Sequence, residues 1–389
     1  MYKVELISNL ILKYWDAVFI VLLSFGLYFI YQAPPPDAHV LVREENYLRL
    51  ILLWLLIGLI ANSKDIFQEN KNNKWIIVLV LGEVLFVLWH LNFFAFKKLF
   101  LDASLFFIFF YSLPRTRSSK WLGIFSWVFF AIAILHIFPI GDSIWDVSDN
   151  SYKASFIHRN ALGYILVTAF IFISFLKVKI QIKYFLAALY LIVVFLTFSR
   201  TTLIASTLIW CWFLFPQGKM KAILLTIALH GAIVFAWHND LTQYFDFSGE
   251  VKHELREFDG STLERWNLLK SGLIAYAENP IMGKSELYVT DVGHTKGSHI
   301  HNFYLSHLIS YGIFPSIAVG LMFYLFFQKT GIRVRLMILN LAIFASFQGY
   351  FDTFQSAYFF ITILVFYLFN YLDLKEKSSR LNLIAPDKA

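Results

Sequence analysis

Long apolar runs alternate with short polar segments along almost the whole chain. They occupy residues 9–31, 47–62, 75–96, 99–113, 121–139, 161–176, 184–199, 201–215, 222–237, 302–327, 336–351 and 357–372. Apolar runs of this length with few charges are typical of helices that cross a bilayer. The pattern predicts an all-α, polytopic integral membrane protein with about 12 transmembrane helices, some of them tilted or buried in the bundle because their runs are short.

Composition supports this class and excludes others. Hydrophobic residues make up 58% of the chain and charged residues 15%, and the mean hydropathy is +0.62, values outside the range of soluble domains. The net charge of +7 is spread over short clusters between apolar runs, which argues against a nucleic-acid partner. Cys211 is the only cysteine, so neither a disulfide framework nor a cysteine metal site is available.

The distribution of Lys and Arg predicts the orientation. Connections rich in these residues face the cytoplasm. The rich connections contain Lys64, Lys71, Lys74, Arg115, Arg117, Lys120, Lys177, Lys179, Lys183, Lys219, Lys221, Lys329, Arg333 and Arg335. Both termini are therefore expected in the cytoplasm, and residues 32–46, 140–160 and 238–298 outside. The outer side would still carry a few cations, among them Arg200 and the pair Lys97-Lys98.

Four regions follow from this map. Residues 1–237 form an N-terminal transmembrane bundle of about nine spans. Residues 238–301 form one large outer loop that contains an amphipathic helix. Residues 302–372 form C-terminal transmembrane helices, and residues 373–389 a cytoplasmic tail.

Arg200 stands out because a cation at the outer interface opposes the orientation signal. It lies in a tight polar break between two apolar runs, Thr197-Phe198-Ser199-Arg200-Thr201-Thr202. One interpretation is an arginine that snorkels to lipid headgroups or pairs with a carboxylate. The other is an anion site, since a guanidinium group matches phosphate oxygens in a bidentate way.

The outer loop has a helical second half. Ser261-Thr262-Leu263-Glu264 has the form of a capping box, which predicts a helix that begins there, carries Arg265 in its first turn and continues to Tyr276. Asn279-Pro280 should end it. Arg265 is then either a solvated surface charge or a second phosphate ligand.

Three histidines precede the next apolar run: His294, His299 and His301. A metal site is disfavoured because the segment lacks a third ligand at a recognisable spacing. A histidine at the first turn of an outward-facing helix suits general-base chemistry, because its usual pKa lies near neutral pH. Interfacial histidines with satisfied hydrogen bonds are the alternative. We take His301 as the candidate base and His299 as its rival.

The order of these elements resembles the shared core of O-antigen ligases and Wzy-type O-antigen polymerases. The resemblance covers about residues 195–320 and rests on Ser199-Arg200-Thr201-Thr202, Arg265-Trp266, Asn279-Pro280-Ile281-Met282-Gly283, His301-Asn302-Phe303-Tyr304-Leu305 and Tyr311-Gly312-Ile313. The outer element His158-Arg159-Asn160-Ala161-Leu162-Gly163 is similar to one seen in both families. One departure is Gly283-Lys284-Ser285, which replaces a Gly-x-Gly often found after the Asn-Pro turn.

The resemblance implies a metal-independent, inverting glycosyltransferase with a GT-C-like fold and no cofactor. It would sit in the bacterial inner membrane, among membrane lipids, with its active site facing the periplasm. Its donor would be an undecaprenyl-diphosphate-linked glycan, and Arg200 and Arg265 would hold the diphosphate. His301 would be the general base, with Arg159 and Asn302 as further substrate contacts.

Three functions are compared: a ligase, a polymerase and a transporter. A ligase passes the glycan to the lipid A-core oligosaccharide, whereas a polymerase passes it to another repeat unit. The single dominant outer loop favours the ligase. A polysaccharide-related transporter is less favoured, because its signature would be charged or broken helices along the membrane depth, and the pair Glu83 and His90 in the third run is thin support for one.

Overall fold

The described part of the computed structural model is helical apart from two short hairpins. It comprises residues 14–15, 18–19, 21–22, 40–70, 74–115, 145–146, 151–152, 159–175, 178–197, 199–214, 258–285, 289–292, 295–299, 302–346 and 357–384. The helices are α1 (Val40–Asn70), α2 (Lys74–His90), α3 (Phe93–Phe107), α4 (Arg159–Ser174), α5 (Ile180–Leu196), α6 (Arg200–Leu214), α7 (Phe258–Glu278), α8 (Phe303–Tyr311), α9 (Ile313–Lys329), α10 (Ile332–Ala345) and α11 (Ala357–Ile384). The helical character predicted from the apolar runs is confirmed over these residues.

Two antiparallel hairpins lie in segments predicted to face outward. In the first, β1 (Trp145–Asp146) pairs with β2 (Ser151–Tyr152). In the second, β3 (Val289–Val292) pairs with β4 (Thr295–His299), with an irregular register beyond Thr290. The all-α prediction did not include them, because strands this short leave no periodic signal in the sequence.

Several helix bounds differ from the predicted spans. The run 75–96 is divided at Leu91, because the Asn92 side chain accepts a hydrogen bond from the Ala95 backbone N–H at 2.8 Å and so begins α3. The run 302–327 is divided at Gly312 between α8 and α9. Within the described ranges, no helix has both the length and the apolarity required to cross a membrane. The multi-span architecture stays a prediction.

An aromatic core joins the two halves of the chain. Phe109 follows α3 in a π-helical segment, Ile108–Ser112, and stacks on Phe326 of α9 with ring centroids 4.2 Å apart. Phe366 of α11 meets both rings edge-on, at 5.7 Å and 5.4 Å. Burial of such rings, together with their contact geometry, stabilises the packing of α3, α9 and α11.

The start of α10 is anchored to α11 by charge. Arg333 is buried, donates to Asp373 and to Glu376 (2.9 Å), and lies 4.4 Å from the Phe175 ring centroid. A buried guanidinium is tolerated only when it is paired in this way. α11 continues to Ile384, so the predicted tail, which starts at residue 373, begins inside a helix. The other end of α10 leads to the candidate site.

Candidate functional site

The first turns of α4 and α6 lie side by side. Arg159 is the first residue of α4, and Arg200 is the first residue of α6. A Cβ atom added to Gly163 would collide with the Thr202 side chain, so the two backbones are in close contact there. The structure therefore brings together two sequence elements predicted to be functional, and it places the Cα atoms of both arginines at the same end of the bundle.

Ser199 caps α6 just before Arg200. Its hydroxyl accepts hydrogen bonds from the Thr202 backbone N–H (3.2 Å) and from the Thr202 hydroxyl (2.8 Å). Its carbonyl accepts from the Leu203 backbone N–H at 3.0 Å. The polar break predicted here is thus a buried helix N-terminus, where backbone N–H groups favour anions. The side chain of Arg200 lies outside the described part.

The first turn of α8 is joined to the last turn of α10. The Asn302 side chain caps α8, with its Oδ1 accepting from the Leu305 backbone N–H at 2.9 Å, and its Nδ2 donates to the Ser346 carbonyl at 3.2 Å. Tyr304 donates from its hydroxyl to the Ala342 carbonyl at 2.9 Å. Both ends of the Asn302 amide are therefore used within the protein. These bonds give Asn302 a structural role at the start of α8; a contact between Asn302 and substrate stays a prediction.

The same end of α10 packs on the start of α4. Phe344 meets Tyr164 edge-on, with ring centroids 5.1 Å apart. Contacts therefore run continuously from Asn302 through the end of α10 to Tyr164, and from the neighbouring Gly163 to Thr202. Because each link involves the first or last turn of a helix, the starts of α4, α6 and α8 lie at one end of the molecule.

α7 runs parallel to α8 and carries Arg265 toward this end. The turn that ends α7 contacts the end of α8, where the Lys284 backbone N–H donates to the Ile309 carbonyl at 2.8 Å. Nearer the other end, Leu269 packs against the buried cluster that contains Leu305 and Ile309. Arg265 lies one turn before Leu269 and is therefore on the Asn302 side of this contact.

Two details of α7 differ from the sequence analysis. The helix begins at Phe258, so Ser261–Glu264 is not its capping box and Arg265 is not in its first turn. The three residues before Ser261 are helical as well, because a polar segment with adequate helix propensity can extend a helix past a sequence that resembles a cap. The prediction that Asn279-Pro280 ends the helix is confirmed, because the helix stops at Glu278.

Two glycines hold the end of α7 against the end of α8. Gly283 has φ +66° and Gly312 has φ +77°, conformations that side-chain-bearing residues rarely adopt. A Cβ atom on Gly283 would lie 2.5 Å from the Gly312 nitrogen, and one on Gly312 would collide with the Ile281 carbonyl. The Asn-Pro-x-x-Gly turn and the later glycine, separate in the sequence, thus form a single contact.

We expect Gly312→Ala to destabilise the protein by at least about 1–3 kcal/mol, because a Cβ there adds backbone strain as well as a collision. Thermal unfolding in detergent measures the loss. The matched control is Gly320→Ala within α9, where a Cβ would meet nothing within 4 Å. That variant should be neutral or slightly stabilised, since alanine favours a helix over glycine. Equal stability of the two variants would contradict the close contact.

A second expectation concerns Asn302. Asn302→Ala loses the helix cap and the bond to Ser346, and should reduce stability by about 1–2 kcal/mol. Asn302→Asp keeps the capping acceptor and should therefore lose less stability than Asn302→Ala. Thermal unfolding of both variants, alongside wild type, tests this order. Unchanged stability of Asn302→Ala would show that neither hydrogen bond matters.

The histidines are placed by the backbone. His299 is the last residue of β4 and pairs with Val289 in the hairpin between α7 and α8. His301 lies outside the described residues, immediately before the cap residue Asn302.

The electrostatics of this end favour an anion. The helix starts at Arg159, Arg200 and Phe303 have no acidic residue in their first turns, so their positive dipole ends are not neutralised by their own sequence. Two of the three begin with an arginine. Bidentate arginines next to helix N-termini are a chemically suitable arrangement for phosphate oxygens.

The burial of Lys98, at the end of α8 opposite the candidate site, was not expected from the sequence. Lys98, predicted as an outer cation, is buried in α3 and forms ion pairs with Glu83 (2.7 Å) and Asp102. Its ammonium group lies 4.9 Å from the Tyr311 ring centroid, and Tyr311 lies 4.5 Å from the ring of buried His307. The available signal was the i,i+4 spacing of Lys98 and Asp102 within an apolar helix, which predicts a buried pair.

Comparison with known proteins supports the motif analysis. Residues 185–317 match the family model Wzy_C, described as O-antigen ligase. The match includes Arg200, Arg265, His301 and Gly312 and leaves out Arg159. A search of curated proteins found no match. The resemblance to the O-antigen ligase and Wzy-type polymerase superfamily is confirmed over the matched residues.

Proposed function

We propose that this protein is an O-antigen ligase, which transfers a glycan from undecaprenyl diphosphate to the lipid A-core oligosaccharide at the periplasmic face of the inner membrane. The family match supports the superfamily. The observation that carries the proposal is the common position of the starts of α4, α6 and α8, which begin at Arg159, Arg200 and Phe303. In the proposed site, Arg265 of α7 and His301 would join Arg200 at this end.

The proposed reaction is a single displacement. An acceptor hydroxyl oxygen attacks the anomeric carbon of the glycan while the bond from that carbon to the diphosphate oxygen breaks. His301 takes the hydroxyl proton, and the diphosphate leaves with the bonding electron pair. Arg200 and Arg265 stabilise the charge that develops on the departing group, with the helix N-termini adding to their effect. Attack from the face opposite the leaving group inverts the anomeric configuration.

Exposed apolar side chains support a membrane location. Along α2 they include Ile77, Val80, Leu81, Leu85 and Trp89, each more than half exposed, and Phe93 at the start of α3 is 84% exposed. Apolar patches of this extent on a protein surface mark contact with lipid or with another protein. Lipid contact fits the composition of the chain.

The lipopolysaccharide of a deletion strain tests the proposal. Loss of all O-antigen-capped lipopolysaccharide, with long polymer retained on the lipid carrier, is the result expected of a ligase. Lipopolysaccharide bearing one repeat unit would instead identify a polymerase, which the family match also allows. Unchanged lipopolysaccharide would contradict both. Complementation with the wild-type gene and with an Arg200→Ala variant assigns the change to this site.

Activity should not require a divalent metal, because the arginines can carry the phosphate charge. Purified protein treated with EDTA is expected to transfer glycan at the untreated rate. Loss of activity on chelation, followed by recovery with one added metal, would contradict the proposed chemistry. A metal-dependent glycosyltransferase assayed in the same buffer shows that chelation was complete.

A further inference from the structure

The α2–α3 hairpin, which lies outside the family match, bonds directly to the turn that ends α7. His90 Nε2 lies 2.9 Å from the Met282 carbonyl, which fixes this nitrogen as the donor because a carbonyl can only accept. The Ser285 hydroxyl donates to Asn92 Oδ1 at 2.9 Å. We call these four residues the hairpin dock. It joins positions more than 190 residues apart in the sequence.

On the hairpin side of the dock, buried ion pairs hold α2 and α3 together. Lys98 has a fully buried side chain, and its ion pairs with Glu83 and Asp102 tie α3 to α2. Its ammonium group also lies over Tyr311, the last residue of α8. Breaking a buried pair of this kind is costly because it leaves an uncompensated charge. The α2–α3 hairpin is therefore held together next to the dock by Lys98, which also contacts α8.

The loop side of the dock is fixed as well. The Lys284 and Ser285 backbone N–H groups donate to the Ile309 and Ser310 carbonyls, both at 2.8 Å. α7 leaves this turn with Leu273 and Ile274 exposed, at 52% and 67%. The dock therefore holds one end of a long helix whose other half carries Arg265. A small displacement of the turn is transmitted along the helix to Arg265.

We infer that His90, Asn92 and Ser285 are positioning residues, which hold α7 so that Arg265 meets the donor diphosphate. The inference rests on the proposed function and adds that the N-terminal half of the chain takes part in it. None of the three residues would touch substrate. A misplacement of a reacting group by about 1 Å can reduce a rate about a hundredfold, so modest movements of α7 have measurable effects.

A double-mutant cycle on the transfer rate tests the Asn92–Ser285 link. Ser285→Ala is expected to lower the rate at saturating donor about tenfold, and Asn92→Ala at least as much, because Asn92→Ala also removes the cap of α3. The double variant should lose no more than Asn92→Ala alone, because the bond that Ser285→Ala removes is then already absent. Asn92→Asp keeps both acceptor roles of the side chain but loses the Nδ2 donor, which lies 3.5 Å from the Ser285 carbonyl, so it should recover part of the rate. His90→Gln can still donate a hydrogen bond to the Met282 carbonyl, so its transfer rate should be higher than that of His90→Ala.

The matched control is Ser104→Ala, which removes a buried hydroxyl that bonds to the Phe100 carbonyl within α3, at 2.7 Å. Its transfer rate should stay at the wild-type value, because this bond lies within α3 and not at the dock. Additive losses at Asn92 and Ser285, or a wild-type rate in both variants, would overturn the inference. So would an equal rate loss in Ser104→Ala.

Hydrogen exchange gives a readout that does not depend on activity. Backbone amides of 258–278 should exchange several-fold faster in the His90→Ala/Ser285→Ala double variant than in wild type or Ser104→Ala, because the turn that ends α7 has lost two of the hydrogen bonds that hold it. Unchanged exchange would overturn the dock. Faster exchange in a protein whose wild type transfers no lipid-linked glycan would instead count against the proposed function, and the dock would stand.

Discussion

Glycan transfer is expected to fall by about two to three decades when Arg200 or Arg265 is replaced by alanine, since a charge-assisted phosphate contact in the transition state contributes about 2–4 kcal/mol. Arg200 begins α6 beside the start of α4, and Arg265 lies on α7 one turn before Leu269, which packs on α8. Single-turnover transfer from a polyprenyl-diphosphate-linked glycan, in folded and purified protein, measures the loss.

Lysine variants separate charge from geometry. Arg200→Lys and Arg265→Lys keep the charge but lose the planar fork, so they should remain badly impaired if each contact is bidentate. Lys270→Ala removes an exposed cation from the same helix as Arg265 and should leave the rate within about twofold of wild type, because surface charges contribute little. Near-wild-type rates for both alanine variants would remove the arginines from the proposed site.

Replacing His301 should change catalysis in a different way. In His301→Ala, donor binding is expected to survive while transfer falls about a hundredfold or more, because the general base is lost but the diphosphate site is intact. Donor affinity and single-turnover rate, measured on the same preparation, separate the two effects. The rate should also lose its dependence on a group that titrates near neutral pH.

His299→Ala is the matched comparison. His299 ends β4 and pairs with Val289, so a structural role in the hairpin predicts a modest effect. A wild-type rate in His301→Ala together with an inactive His299→Ala would reverse the assignment. Full activity in both variants would show that neither histidine is the base.

Several helix boundaries near the candidate site could be predicted from the sequence. Local patterns were sufficient to locate the break at Arg200, the helix that contains Arg265 and the stop at Asn279-Pro280, because capping and termination depend on neighbouring residues. The start of α7 at Phe258 was missed, since polar stretches with adequate helix propensity carry no distinct boundary signal. The two hairpins were missed because their strands are too short to show a period.

The sequence did not predict which groups interact with Lys98 and Asn302. Lys98 read as an outer cation, yet in the structure it is buried between Glu83 and Asp102. The Asn302 amide caps α8 and bonds to Ser346, a partner that the sequence did not indicate. In each case the residue type was informative about polarity, whereas its role depended on which groups the fold brought within hydrogen-bond distance.

The sequence by itself determined the helical, apolar character of the chain, the order of its motifs and the superfamily they resemble, because those properties depend on composition and on spacings of a few residues. Only the tertiary structure decided that Gly163 meets Thr202, that Gly283 meets Gly312 and that the α2–α3 hairpin holds the end of α7. These contacts join residues far apart in the chain. Their energies come from close packing and buried hydrogen bonds, which a one-dimensional pattern does not record.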